Sequence, residues 1–307
     1  MDALSDVLET IRLKSAVYFR SDFSSPWGME VPKGPFAQFH MVAKGRCKLK
    51  MKGKPTIDLF SGDIVIFPFG ASHWLADSNK SKKTNGMEVV QSIWDGQSLF
   101  SGDKFATSLV CGHFEFDRNT DHPFIKALPD FIHISDVDRK SMAWLESISN
   151  LIMQEADSEN SGSNIVVNRL AEVLFIHAIR AYIISNKDEK GFMTALKDEK
   201  ISKALKLIHV APEKNWTLNS LSSEAGLSRT LFANRFRDMV GETPLTYITS
   251  WRILKAKQML EQTDEPVGII AEKVGYTSEA AFNRVFKKRV NQTPGVYRRE
   301  LNKKAAS

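Results

Sequence analysis

The sequence predicts an α+β protein: a β-barrel with a helical pair, then an all-α region with two helix-turn-helix units. Three observations predict it. From Val17 to Phe116, short runs of β-branched and aromatic residues alternate with clusters of Gly, Pro, Asn and Ser. Many short strands with frequent turns imply a sandwich or barrel. From about 137 to 185, apolar residues recur at helical spacing. From Leu221 to Pro294 one small pattern occurs twice: a short helix, a turn at Gly226 or Gly275, a second helix, and a closing Thr-Pro. The glycines are 49 positions apart and the Thr-Pro pairs 50, so one copy carries a single extra residue. Such repetition defines the structural unit, here a helix-turn-helix.

Composition sets the outer limits. At 307 residues, 42% apolar and 25% charged, the chain is large enough for two cored domains and reads as globular. No run approaches the roughly 20 apolar residues of a membrane helix, and the N-terminus lacks a signal-peptide core, so a cytoplasmic protein without membrane partners is expected. The two cysteines, Cys47 and Cys111, form no disulfide framework and no spaced zinc motif. Residues 200–307 hold 19 Lys and Arg against 10 Asp and Glu, a net +9, whereas 1–199 carry −3. A basic third on an acidic body is the footprint of a nucleic-acid-binding domain, although a solvated basic surface gives the same sum.

Taken in order, residues 2–13 suggest a helix with Leu4, Val7, Leu8 and Ile11 on one face. The barrel is expected at about 14–134. Arg46–Lys52 alternates charged and apolar, the mark of a half-buried strand. A helical pair follows at about 135–186, its first helix capped by Ser135 or Asp136 and running from about Val137 to Ala156. The second runs from about Asn164 to Ser185, with His177 on its apolar stripe as a packing residue. This pair could close the barrel base or form a two-fold dimer contact, and a homodimer is the reading preferred. Domain limits of 1–186 for the sensor and dimerisation part, 187–199 for a polar linker and 200–303 for the DNA-binding part are expected.

Within the barrel, Gly62-Asp63-Ile-Val-Ile-Phe-Pro68-Phe-Gly70-Ala-Ser-His73-Trp-Leu-Ala-Asp77 has the spacing G-x5-P-x-G-x2-H-x3-D. It resembles the second motif of cupins, which ends in Asn where this chain has Asp77. The first cupin motif is half present: His40 follows Gly34, but the expected second His is Val42 and the expected Glu is missing. A cupin metal site presents several His and a carboxylate to one ion. Here the candidates are His40, His73, Cys111 and His113, the last two sharing a strand face. They could hold a metal ion in the barrel. Alternatively His73 is a hydrogen-bonded barrel histidine and Cys111 a small buried hydrophobe. No metal site is assigned, and a pocket for a small effector is expected over catalysis.

In the basic repeat, residues 200–211 form a helix, Thr217 caps the next and Ser228 caps Arg229–Val240. Phe232 and Phe236 are four apart and belong to the core. Arg229, Thr230, Ala233, Asn234 and Arg237 then face outward. The second copy buries Phe282 and Phe286 and exposes Ala280, Asn283, Arg284, Lys287 and Lys288, with Ser278 and Glu279 at its start. Asn and Arg near the beginning with cations further along suit a recognition helix, bases at its start and phosphates beyond. A joining helix from Thr243 to about Glu261 spans roughly 30 Å, close to one turn of B-DNA at about 34 Å.

Residues 200–303, ending GYTSEAAFNRVFKKRVNQTPGVYRR, resemble the DNA-binding domain of the AraC/XylS family. MDALSDVL, CGHFEFD at 111–117 and HPFIKALP at 122–129 resemble the cupin-like sensor of one branch, which includes a reactive-chlorine-responsive regulator. The resemblance implies a sequence-specific transcription regulator of double-stranded promoter DNA, not an enzyme, with RNA polymerase a candidate partner. It implies a redox role for Cys111, although the second cysteine of that pattern precedes any cysteine of this chain. The rival expectation is a metal-dependent cupin enzyme carrying a DNA-binding domain.

Overall fold

The computed structural model describes residues 2–11, 13–116, 122–135, 143–156, 158, 160–185 and 191–305. The chain divides into two compact units. One comprises described residues of 12–116 and 128–185; the other combines those of 1–11, 117–127 and 186–307.

In the first unit nine strands form one curled sheet: β1 (Lys14–Ser24), β2 (Gly28–Val31), β3 (Ala37–Met51), β4 (Ile57–Phe60), β5 (Ile64–Phe67), β6 (His73–Ala76), β7 (Thr84–Asn85), β8 (Phe105–Glu115) and β9 (Ile132–Ile134). The main path runs β1-β8-β3-β6-β2-β7, with β4 and β5 on β3 and β9 on β5. Every pairing is antiparallel except β2 with β7. The long strand β3 bends the sheet by serving both faces of the curl: its first half pairs with β5 and β8, its second half with β4 and β6. The alternation at 46–52 is realised, with Cys47, Leu49 and Met51 buried and the lysines between them more exposed. The core collects Phe19, Phe23, Trp27, Met29, Leu49, Phe67, Leu75, Leu109 and Cys111.

Helix α2 (Gly86–Trp94), capped by the Asn85 side chain on the Met87 amide, closes one side of the curl with Val89 and Val90. Its nine residues lie inside the strand-rich stretch, where turn signals masked a weak helical period. The helical pair is α4 (Ala143–Ala156) and α5 (Ser163–Ser185), after the short α3 (Pro123–Lys126) of the other unit. Of the expected cap and onset of α4, Ser135 is described, and Asp136 with the onset from Val137 lies outside the described residues. Asn168 of α5 fastens the pair to β1 by accepting from the Val17 amide at 2.9 Å. His177 is half-buried, its burial and Arg180 lowering its pKa.

The second unit contains α1 (Ala3–Thr10), α3, α6 (Phe192–Lys197), α7 (Glu199–Val210), α8 (Leu218–Glu224), α9 (Arg229–Val240), α10 (Pro244–Gln262), α11 (Val267–Lys273), α12 (Glu279–Val290) and α13 (Pro294–Ala305). Helix α6, with Phe192, Met193 and Ala195 buried, lies inside the stretch expected as a polar linker. Local sequence explains the boundaries. Thr217, Ser228, Thr243 and Ser278 each accept a backbone N–H of the first turn, satisfying donors that a helix start leaves open. Pro244 stands at the first helical position, where its missing N–H is harmless. Gly226 and Gly275 hold left-handed φ of 64° and 87°, which turn α8 into α9 and α11 into α12.

Candidate nucleic-acid interface and barrel pocket

The second helices of the two motifs, α9 and α12, are built alike. In α9, Phe232 and Phe236 are fully buried with ring centroids 5.6 Å apart. In α12, Phe282 and Phe286 repeat this at 5.5 Å, packed on Ile253, Ala256, Leu260 and Ile270. Each phenylalanine is worth about 3–5 kcal/mol on truncation to Ala, enough to fix which face each helix turns away. On that outer face Arg229, Thr230, Asn234 and Arg237 are exposed and Ala233 is half-buried. In the second copy Ser278, Glu279, Ala280, Arg284, Lys287 and Lys288 are exposed and Asn283 is half-buried.

The helix between them is α10, 19 residues, about 28 Å long at 1.5 Å per residue. It is anchored at both ends. Tyr247, Ile248 and Trp251 are buried, Tyr247 against Phe236 of the first motif and Trp251 against His209 of α7, while Ile253, Ala256 and Leu260 pack against the second motif. Arg252 donates from Nε to the Pro212 carbonyl at 2.7 Å and from a terminal nitrogen to that of Lys214 at 2.9 Å. Asp198 caps α7 and also accepts from Arg235 of α9, Nε at 3.0 Å, tying α9 to α7. Burial raises the Asp198 pKa; its hydrogen bonds and Arg235 outweigh that and lower it. Sequence reading did not single out Asp198, Arg235 or Arg252 because a paired and an unpaired Arg look alike in one dimension.

In the barrel, His40 and Cys111 are direct register partners across β3 and β8. His40 Nδ1 lies 3.0 Å from Cys111 Sγ and His40 Nε2 lies 2.8 Å from His73 Nε2. His73 Nδ1 lies 2.7 Å from the Ala71 carbonyl. Proton bookkeeping orders the chain. A carbonyl only accepts, so His73 Nδ1 carries hydrogen and its Nε2 accepts. His40 therefore donates from Nε2, and its bare Nδ1 accepts the Cys111 S–H. Burial keeps both rings neutral: it pushes His73 down to about 4 and holds His40 well below its ordinary value, where His73 adds to the effect. Burial, and Cys47 secondarily, push the Cys111 thiol well up.

His113 is not part of this chain. Its Nε2 meets Glu115 at 2.9 Å, and its ring packs between Tyr18 and Phe36 at 5.0 and 4.6 Å. Thus three of the four candidates converge and one turns away. His40, His73 and Cys111 are hydrogen-bonded to one another, and no carboxylate joins them. Among the described residues, no group of three or more His, Cys, Asp or Glu is arranged to hold a metal. Asp77, the last residue of the cupin-like motif, instead accepts from the Trp27 amide at 3.3 Å and the Ser81 hydroxyl at 2.5 Å.

His40 and Cys111 form part of the wall of a cavity of about 330 Å³ inside this unit. Phe19, Met29, Val31 and Val90 give it an apolar lining, and Tyr18, Phe36 and Met87 flank it. Gln38 also lines it, and its Oε1 is buried without a hydrogen-bond partner among the described residues. Sequence reading missed Gln38; its inward place on β3, two residues before His40, was the available signal.

The family description "Cupin" matches residues 2–184 and "Helix-turn-helix domain" matches 221–300. The chain is 31% identical over 308 residues to the HTH-type transcriptional regulator AlkR of Acinetobacter baylyi, covering 98% of this chain and 100% of that protein. It is 27% identical to the RCS-specific HTH-type transcriptional activator RclR of Escherichia coli, covering 99% of this chain and 100% of that protein. Among solved structures, the DNA-binding domain of AdpA in complex with a target DNA is 26% identical, with 35% of this chain and 96% of that chain covered and a TM-score of 0.33. With a relative matched from end to end and the cupin description spanning more than half its length, the chain belongs to the AraC family of DNA-binding transcription regulators that carry an N-terminal cupin domain.

Proposed function

We propose that α9 and α12 read two successive segments of promoter DNA, and that occupancy of the barrel cavity by a small molecule controls this reading. The observation that carries the DNA half is the outer faces of α9 and α12, polar at the start and cationic beyond, opposite the buried Phe pairs. Thr230, Asn234, Ala280 and Arg284 meet base edges; Arg237, Lys287 and Lys288 meet phosphates. A joining helix of about 28 Å suits entry on one face of the duplex, since one turn is about 34 Å. Gel shift over a salt series tests this. Asn234→Ala and Arg284→Ala should relax base preference, whereas Lys288→Ala should lower affinity on all sequences and reduce the salt slope by about one. Equal loss from all three on every sequence would refute the division of roles.

The lining supports a mainly apolar molecule with one group able to hydrogen-bond to Gln38, and Lys33 at the wall could meet an acidic group. Full-length protein should gain thermal stability with such compounds, and Gln38→Leu should remove most of that gain. Stabilisation only by transition-metal ions would favour the metal-dependent rival instead. A buried, hydrogen-bonded thiol supports occupancy over direct oxidation of Cys111. Exposed Ile165, Val173 and Ile184 on α5 support a homodimer through the helical pair; a monomer at micromolar concentration in sedimentation would exclude it. The regulator acts in the cytoplasm, where promoter DNA and RNA polymerase are met.

A further inference from the structure

The histidine of HPFIKALP has no part in DNA reading or in the cavity, yet it is one of the most buried polar residues of the chain, 1% exposed. His122 Nε2 lies 3.1 Å from the Tyr247 hydroxyl in α10. The same hydroxyl lies 2.6 Å from His209 Nε2 of α7. His209 Nδ1 faces Asp6 Oδ2 of α1 across 3.4 Å, and neither atom has a hydrogen-bond partner among the described residues. All four residues lie in the unit that contains the two reading motifs.

The protons run one way. The Phe124 amide donates to His122 Nδ1 at 3.1 Å, so neutral His122 carries its hydrogen on Nε2 and donates to Tyr247. Tyr247 then donates to His209 Nε2, which leaves the His209 hydrogen on Nδ1, aimed at the Asp6 carboxyl. His122, Tyr247 and His209 are thus joined by hydrogen bonds that admit one arrangement of protons, and the Asp6 carboxyl faces the last of these protons at 3.4 Å. Tyr247 also packs edge-on against Phe236 of α9 at 5.7 Å, and His209 stacks on Trp251 at 3.7 Å. In sequence, α1 precedes β1 and His122 follows β8, and Lys14↔Glu115 is the outermost pair of the β1–β8 ladder. Helix α1 and the described residues 122–127 belong to the DNA-binding unit.

We infer that Asp6, His122, His209 and Tyr247 form a buried latch that positions the first reading helix, α9, and leaves the second, α12, untouched. The latch members are positioning residues: none reaches DNA, and Tyr247 acts on α9 through Phe236. This rests on the reading that α9 and α12 each take one half-site.

The test uses the full chain and a duplex that it selects from a random library. For wild type, scrambling either half-site should weaken binding at least about tenfold, the cost of one or two mismatched pairs. In Tyr247→Phe, which keeps the ring and removes the hydroxyl, scrambling the α9 half-site should cost less than about threefold, while the α12 half-site keeps its penalty. Asp6→Asn, at the far end of the latch from His122, should shift binding the same way, more weakly, and serves if Tyr247→Phe does not fold. Amide exchange should quicken together in 2–11 and 122–127. Unchanged penalties, or an equal fall in both, overturn the latch. If wild type ignores both half-sites, the two-half-site reading itself fails.

Discussion

Gly226 and Gly275 occupy equivalent turns, so the same substitution in each isolates what the surroundings add. Both hold left-handed φ, 64° and 87°, where an alanine costs about 1–2 kcal/mol. At Gly226 a new Cβ meets only the tip of the Lys200 side chain, at 3.4 Å, which swings aside. At Gly275 it falls 2.6 Å from the Arg252 guanidinium and 2.8 Å from the Glu213 Cα. Arg252 must move, and its bonds to the Pro212 and Lys214 carbonyls are lost or bent. Hydrogen bonds from a charged donor are worth about 1.5–3 kcal/mol each. Gly226→Ala is therefore expected to cost about 1–2 kcal/mol, and Gly275→Ala about 3–5 kcal/mol with one such bond lost. Native-state hydrogen exchange of the α8–α9 and α11–α12 amides reads both costs. Equal costs would refute the reasoning that Arg252 and Glu213 leave no room for a Cβ at the second turn.

Two further outcomes concern the barrel. The folded pKa of His73 is depressed to about 4 from an ordinary 6.5, so the unfolded chain takes up the proton first as pH falls. The stability this burial preserves is complete above 6.5 and is lost progressively on acidification to about 4. Between pH 7.5 and 5 the barrel should lose about 2 kcal/mol through His73 alone, read by urea unfolding, and His73→Gln should flatten that slope; a slope unchanged in the variant would contradict the assignment. Cys47 and Cys111 are both buried, free and held as thiols, burial raising each pKa. Alkylation of the native protein should be at least about a hundredfold slower than in urea, and native rates close to those in urea would refute this.

Local signals determined much of this protein. The Phe pairs at 232/236 and 282/286, the caps at Ser228 and Ser278, the Gly turns and the Thr-Pro helix start each act within one or two helical turns. The alternation around Cys47 fixed a strand face for the same reason. These interactions are short in sequence, so period and residue type suffice to place them. The α2 helix escaped notice because nine residues between turn signals give too little period.

Tertiary structure alone decided which polar groups meet. His40, His73 and Cys111 were in view, but only the β3–β8 register put His40 beside Cys111 and sent His113 to Glu115 instead. Asp6, His122, His209 and Tyr247 are spread over more than two hundred residues, and no spacing rule links them. A buried polar side chain must find its partner wherever the fold brings one within about 3 Å. That choice belongs to packing of distant segments, which is why sequence placed the two helix-turn-helix units while the structure determined what holds them.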